Sequence, residues 1–198
     1  MSYSLKRTSS RVMAITTAVA KKHAVIDHNE DDALIARLIE AAQDELEPPN
    51  GWLGRALSLA DYECTFDEFA DEIVIPAPPL VSLETFTYLD TDGDEQTVSA
   101  DLYTLIGTDP AKIVLNSGET WPTIQSGRPG AVKITFKAGY EPAADDENNI
   151  PLVPEIIKQY MLYQISTAYD LRHSISVGQP LHENKFIKNM LESWRVRI

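Results

Sequence analysis

Between Leu57 and Tyr140 the chain breaks into short runs of β character separated by turn residues, and no helical periodicity intervenes anywhere in that span. The runs are Leu57 to Phe66, Glu72 to Ile75, Val81 to Leu89, Glu95 to Val98, Leu102 to Ile106, Lys112 to Leu115 and Ala131 to Lys137. Parallel strands need a crossover, usually a helix, so strands that follow one another this closely pair antiparallel, as a sheet or a small sandwich. Asp92-Gly93, between two of the runs, is a hairpin signal.

Helical patterns bracket this region. The first spans Thr16 to Ala24, with Ile15 and Thr16 as a staple and cap pair. In the second, Asn29 is the expected N-cap, and Glu30, Asp31 and Asp32 fill a first turn where the positive end of the dipole favours acids. Leu34, Ile35, Leu38, Ile39, Ala42 and Leu46 give it an apolar stripe, and Pro48-Pro49 ends it. After an acidic, proline-bounded linker, Ile156, Ile157, Tyr160, Met161, Tyr163, Gln164, Ile165 and Ala168 predict a helix apolar over much of its circumference and central to the core. A last helix from about Glu183 puts Phe186, Ile187, Met190, Leu191 and Trp194 on one face. The expected fold is α+β: an N-terminal helix pair and C-terminal helices forming a small bundle, with a central antiparallel β region. The divisions are a basic extension 1–14, N-terminal helices 15–56, the β region 57–140, the linker 141–154 and C-terminal helices and tail 155–198, one compact unit overall.

At 198 residues and 43% hydrophobic content, the chain buries roughly 70% of its unfolded surface, enough for one substantial core or two small ones. Its charge is unevenly placed. From Glu30 to Pro110 there are 20 acids and two bases, Arg37 and Arg55, whereas Ile156 to Ile198 is net basic. Such an acidic surface repels nucleic acid and anionic membranes, so a partner binds elsewhere or benefits from the repulsion. No apolar run approaches the roughly 18 residues that span a bilayer, and Val12 to Ile15, after Lys6, Arg7 and Arg11, is too short for a signal-peptide core. No membrane partner is expected.

Catalytic and metal motifs are missing. Asp90 to Glu95 superficially resembles a calcium loop, but an EF-hand needs Gly at position six, where Glu95 stands, and Glu at position twelve, where Asp101 stands. His23, His28, His173 and His182 lack metal-ligand spacing, and no nucleophile elbow, phosphate loop or dinucleotide fingerprint is present. In a chain this acidic, carboxylate pairs arise by chance and nominate no glycosidase. Cys64, the single cysteine, sits in the alternation Ala60, Tyr62, Cys64, Phe66 and reads as a buried apolar residue among carboxylates that disfavour a thiolate. The expectation is a chain that is not an enzyme and takes no cofactor or metal.

Taken in order, a set of short motifs resembles the bacteriophage head-to-tail connector family, also called adaptor or head-completion proteins. The set begins with Ile15-Thr16 through Ala20-Lys21, His23, Ile26-Asp27, Asp31-Asp32-Ala33-Leu34-Ile35 and Ile39-Glu40-Ala41-Ala42. It continues through Gly54-Arg55-Ala56-Leu57, Ile75-Pro76, Pro78-Pro79-Leu80, Val81-Ser82, Tyr88, Asp90, Asp92-Gly93, Tyr103 and Trp121-Pro122. Ala138-Gly139-Tyr140, Pro154, Ile157-Lys158, Tyr169 and Arg172 complete it. The first fourteen residues and the linker insertion Asp145 to Asn149 depart from the pattern.

The resemblance implies a structural virion protein, made in the bacterial host cytoplasm, in the neck of a phage, prophage-derived or gene transfer agent particle. It implies a homo-oligomeric ring of about 12 copies closed by head-to-tail contacts. The ring would lie between the portal protein and a tail-side neck or stopper protein and pass double-stranded DNA without specific binding. Asp90, Asp92, Asp94 and Glu95 are then candidates for an acidic channel wall, because a carboxylate lining does not hold phosphates; the same acids would also serve simply to keep an oligomer solvated. Phe186, Ile187, Met190, Leu191, Trp194, Arg195 and Arg197 are candidates for docking on the portal, the alternative being that this stripe packs on the chain's own core. A different class of reading is a monomeric acidic protein-binding module or an unrecognised hydrolase.

Overall fold

The computed structural model describes residues 3–143, 149–171 and 189–196, and all structural statements below concern these residues. The β region is built as read. Strands β2 (Ala60–Phe66), β3 (Glu72–Val74), β4 (Leu80–Leu89), β5 (Glu95–Thr97), β6 (Tyr103–Ile106), β7 (Lys112–Leu115) and β8 (Val132–Ala138) lie within a residue or a few of the predicted runs. Every pairing is antiparallel. The Leu57–Leu59 end of the first run is not strand, because the chain there turns over the end of a helix and its N–H groups go to Glu47 and Tyr140.

Two sheets result, with orders β1-β2-β8-β4-β5, where β1 is Tyr3–Arg7, and β3-β7-β6. Strand β2 alternates without exception, burying Ala60, Tyr62, Cys64 and Phe66. Facing them from the other strands are Ile134 and Phe136 of β8, Phe86 of β4, Ile73 of β3 and Ile113 of β7, so both sheets share one apolar core. Phe69, Phe86 and Trp121 close one end of it, Phe69 stacking on Trp121 at 4.8 Å between ring centroids. Burial pushes the Cys64 thiol up to about 12, so this cysteine acts as a small hydrophobe.

Strand β1 (Tyr3–Arg7) is a finding the sequence reading did not anticipate: part of the basic extension pairs with β2 as an edge strand, Leu5 opposite Cys64. Its end is tied to the helical half by a buried acid. Glu47 Oε1 accepts the N–H groups of Leu57 (2.8 Å) and Ser58 (3.1 Å), while Oε2 accepts from Arg7 Nη1 at 3.0 Å. Arg11 Nε lies 3.2 Å from Oε2, an ion pair outside hydrogen-bonding geometry. Arg11 also pairs with Asp44. Gln43, fully buried, secures the intervening segment by accepting from Ala14 N (2.9 Å) and donating to Val12 O (3.0 Å).

Three helices pack on one another around a second core: α1 (Thr17–His23), α2 (Asp32–Leu46) and α3 (Glu155–Asp170). Thr16 caps α1 as expected, its hydroxyl accepting from Val19 N at 3.3 Å. Asn29 does not cap α2. Asp31 holds that position with no side-chain cap, because its carboxylate accepts from Tyr169 Oη of α3 at 2.6 Å, and Asn29 Oδ1 accepts instead from Lys21 Nζ at 2.5 Å. The side chains that would cap the helix thus tie α2 to its neighbours. α2 buries Ile35, Ile39, Ala42 and Leu46, each worth up to about 1.5–3 kcal/mol for the larger side chains.

α3 differs from its reading. It buries Ile157, Tyr160, Met161, Leu162 and Ile165, while Ile156 is 36% exposed and Ala168 is also at the surface. It is a one-faced helix: α1 and α2, with Trp52, Val153 and Leu191, pack in the core it buries, and Ile156 and Ala168 face away from it. The linker begins and ends as a bridge between Pro142 and Pro151. The last predicted helix lies mostly outside the described residues, as do Phe186, Ile187 and Arg197.

Candidate functional site

The β4–β5 hairpin carries the four acidic candidates. Its turn is organised by Asp90, whose Oδ1 accepts from Asp92 N and Asp94 N, both at 3.0 Å, and whose Oδ2 accepts from Gln96 Nε2 at 2.9 Å. Gly93 adopts φ +90°, the left-handed geometry a glycine takes at low cost. The turn geometry places the sequence Asp-Gly where the hairpin signal predicted it.

The four acids are therefore not equivalent. The Gln96 hydrogen bond, followed by the turn N–H groups, holds the Asp90 carboxyl below its ordinary range. Glu95 Oε1 pairs with Lys133 Nζ at 2.6 Å and accepts from Thr87 Oγ1 at 2.9 Å, which also lowers its carboxyl. Glu95 is neutralised by a cation, whereas the Asp90 charge stays and is satisfied by hydrogen bonds within the turn. Asp92 and Asp94 are exposed and have no ionic partner among the described residues. A depressed folded-state pKa adds stability that is present above the unfolded value and lost as pH falls through the folded one. The Asp90 side-chain carboxyl carbon is thus expected to titrate with a midpoint below the ordinary aspartate value of 3.8 in a pH series by NMR.

The C-terminal candidates are placed by a second constellation. Leu191 is fully buried in the helical core, and Met190 and Trp194 pack against it. Arg55, one of the two bases in the acidic span, holds this segment: Nε donates to Trp194 O at 2.6 Å, and its guanidinium lies 5.5 Å from the Trp194 ring centroid. Its Nη1 pairs with Asp109 Oδ2 at 2.7 Å. Val196 N donates to Leu53 O at 2.9 Å, and Arg195 sits 6.0 Å from the Trp52 ring centroid. Leu191 and Trp194 therefore serve the chain's own packing, and Arg195 is the exposed member of the described set. Its rarity as a base in the acidic span is the sign in the sequence that Arg55 has a specific partner.

Among the described residues no group of three His, Cys, Asp or Glu is placed to hold a metal ion, and no helix is long and apolar enough to cross a membrane.

No family model matches this sequence, and no curated protein does. Solved structures do. A chain in the neck of an empty GTA particle, computed with C6 symmetry, superposes with a TM-score of 0.76 at 22% identity, covering 98% of this chain and 97% of that one. A chain from the virion of a native gene transfer agent particle gives 0.73 at 22% identity over 98% and 96%. A chain of the native GTA neck, computed with C12 symmetry, gives 0.66 at 22% identity over 98% and 97%. Over its described residues the chain thus has the fold of proteins in these particles. The resemblance read from the ordered motifs is met at the level of the fold.

Proposed function

We propose that this chain is a structural, non-enzymatic subunit of a head-to-tail connector, forming a ring in the neck of a phage or gene transfer agent particle. The carrying observation is the fold likeness, over 98% of the chain, to proteins in such necks. Two necks among them were computed with cyclic symmetry, as a ring requires. On this reading the subunit joins the portal protein above to a tail-side neck or stopper protein below and gives passage to double-stranded DNA.

The hairpin tip suits a passage that must not hold its cargo. Duplex DNA binds where basic side chains displace its counterions, and hairpin carboxylates without a cationic partner, repeated around a ring, do the reverse. Because Asp90 holds the turn together, the test is confined to Asp92→Asn and Asp94→Asn. The double variant is expected to assemble normally, to retain severalfold more DNA on rings at low salt, and to slow ejection. Unchanged ejection and DNA retention would remove the tip from the channel wall. Docking on the portal falls to Arg195, with Phe186, Ile187 and Arg197, since Leu191 and Trp194 are committed to the fold.

A further inference from the structure

Four strands have an open edge, and they are not equally protected. β3 and β5 are three residues long and carry Glu72 and Glu95, the usual way a sheet blunts an edge. β1 and β6 are longer and carry apolar side chains into solvent. In β6, Leu105 lies opposite the fully buried Ile113, hence on the core side, yet is 40% exposed; Ile106, on the other face, is 52% exposed. The core of the small sheet is left unsealed along this edge. β1 shows the same: Tyr3 and Leu5 face the core side opposite Phe66 and Cys64, and Tyr3 is 41% exposed.

Charge says which edges match. The first 26 residues contain five Lys and Arg and no acid; on β1 Arg7 is held by Glu47, and Lys6 is the exposed cation. No Lys or Arg lies between Arg55 and Lys112, and β6 is preceded by the exposed Asp101; beyond it Asp109 is paired with Arg55 and Lys112 with Glu72, both at 2.7 Å. Two β1 edges repel each other through Lys6, and two β6 edges through Asp101; β1 against β6 attracts. A head-to-tail ring needs this arrangement, two different and mutually complementary surfaces on each copy.

Resting on the connector reading, we propose that the open edge of β6 in one copy receives the basic edge strand β1 of the next copy, so that strand addition across the boundary forms the ring interface. Main-chain hydrogen bonds would supply adhesion, with Leu105 covered by Tyr3 and Leu5 and Lys6 set near Asp101.

The test uses the full chain and exploits the buried, unreactive Cys64. Ser4→Cys and Thr104→Cys, both exposed positions on the outer faces of the two strands, are prepared as separate proteins. They are mixed, assembled alone or on portal-bearing heads, and treated with a short bis-maleimide. The proposal expects a cross-linked dimer band from the mixture and none from either variant alone. It also expects Ile106→Lys to keep its circular dichroism melt while losing the ring by native mass measurement. Rings that form without the mixed cross-link, or that survive Ile106→Lys, overturn this interface and leave the connector reading intact. If wild-type protein forms no ring even on portal-bearing heads, both fall.

Discussion

Glu47→Ala is expected to destabilise the protein by about 3–5 kcal/mol in a denaturant titration, the cost of removing one member of a buried charged cluster and stranding the rest. The carboxylate is fully inaccessible and joins three parts of the chain: the end of α2, the backbone of Leu57 and Ser58 before β2, and the arginines of the N-terminal segment. Without it, two backbone donors and the guanidinium of Arg7 lose their acceptor in a site with little water. Arg7→Ala leaves Glu47 its two backbone donors and Arg11, so its loss should be clearly smaller. A Glu47→Ala variant within about 1 kcal/mol of wild type would show that the cluster contributes alignment rather than stability.

Gly139→Ala is the second large effect, expected to cost more than about 4 kcal/mol or to prevent folding. Gly139 has φ +118°, and a Cβ there would stand 2.1 Å from Ser58 O and 2.5 Å from Ser58 C, both backbone atoms. Neither side can retreat. Gly139 N donates to Pro79 O at 2.8 Å and Leu59 N to Tyr140 O at 3.2 Å, while Ala138 is paired with both Ala60 and Leu80. Gly118→Ala is the control: its φ of +87° carries the left-handed penalty of about 1–2 kcal/mol, but nothing lies within 4 Å of the added carbon. If the two variants melt alike, close backbone approach is not what position 139 requires.

These two sites show why parts of the molecule could be read from the chain and parts could not. The β runs were visible because one face of each strand is buried, which forces period-two alternation, as in Ala60, Tyr62, Cys64 and Phe66. Thr16 was visible as a cap because its hydroxyl bonds locally. Asn29 failed as a cap for α2 because partners on the other two helices, Lys21 of α1 and Tyr169 of α3, claimed the Asn29 and Asp31 side chains. In β1 the alternation Tyr3, Leu5 was present, but Lys6 and Arg7 made the segment look like a basic tail; its partners, Cys64 and Glu47, lie some 40 to 60 residues on. Glu47 itself was indistinguishable from the other acids, since burial of one carboxylate leaves no local trace in an acid-rich stretch. Of the hairpin acids, sequence identified the group but not the division between Asp90 and Glu95, which are internally bonded, and Asp92 and Asp94, which are not.

The account is tested most directly by cryo-electron microscopy of particles from the native source, with the neck resolved well enough to trace side chains. It predicts this chain as a closed ring directly beneath the portal, with the β4–β5 tips turned toward the DNA. A neck built without this chain, or the chain recovered as a lone monomer that never joins a particle, would contradict it.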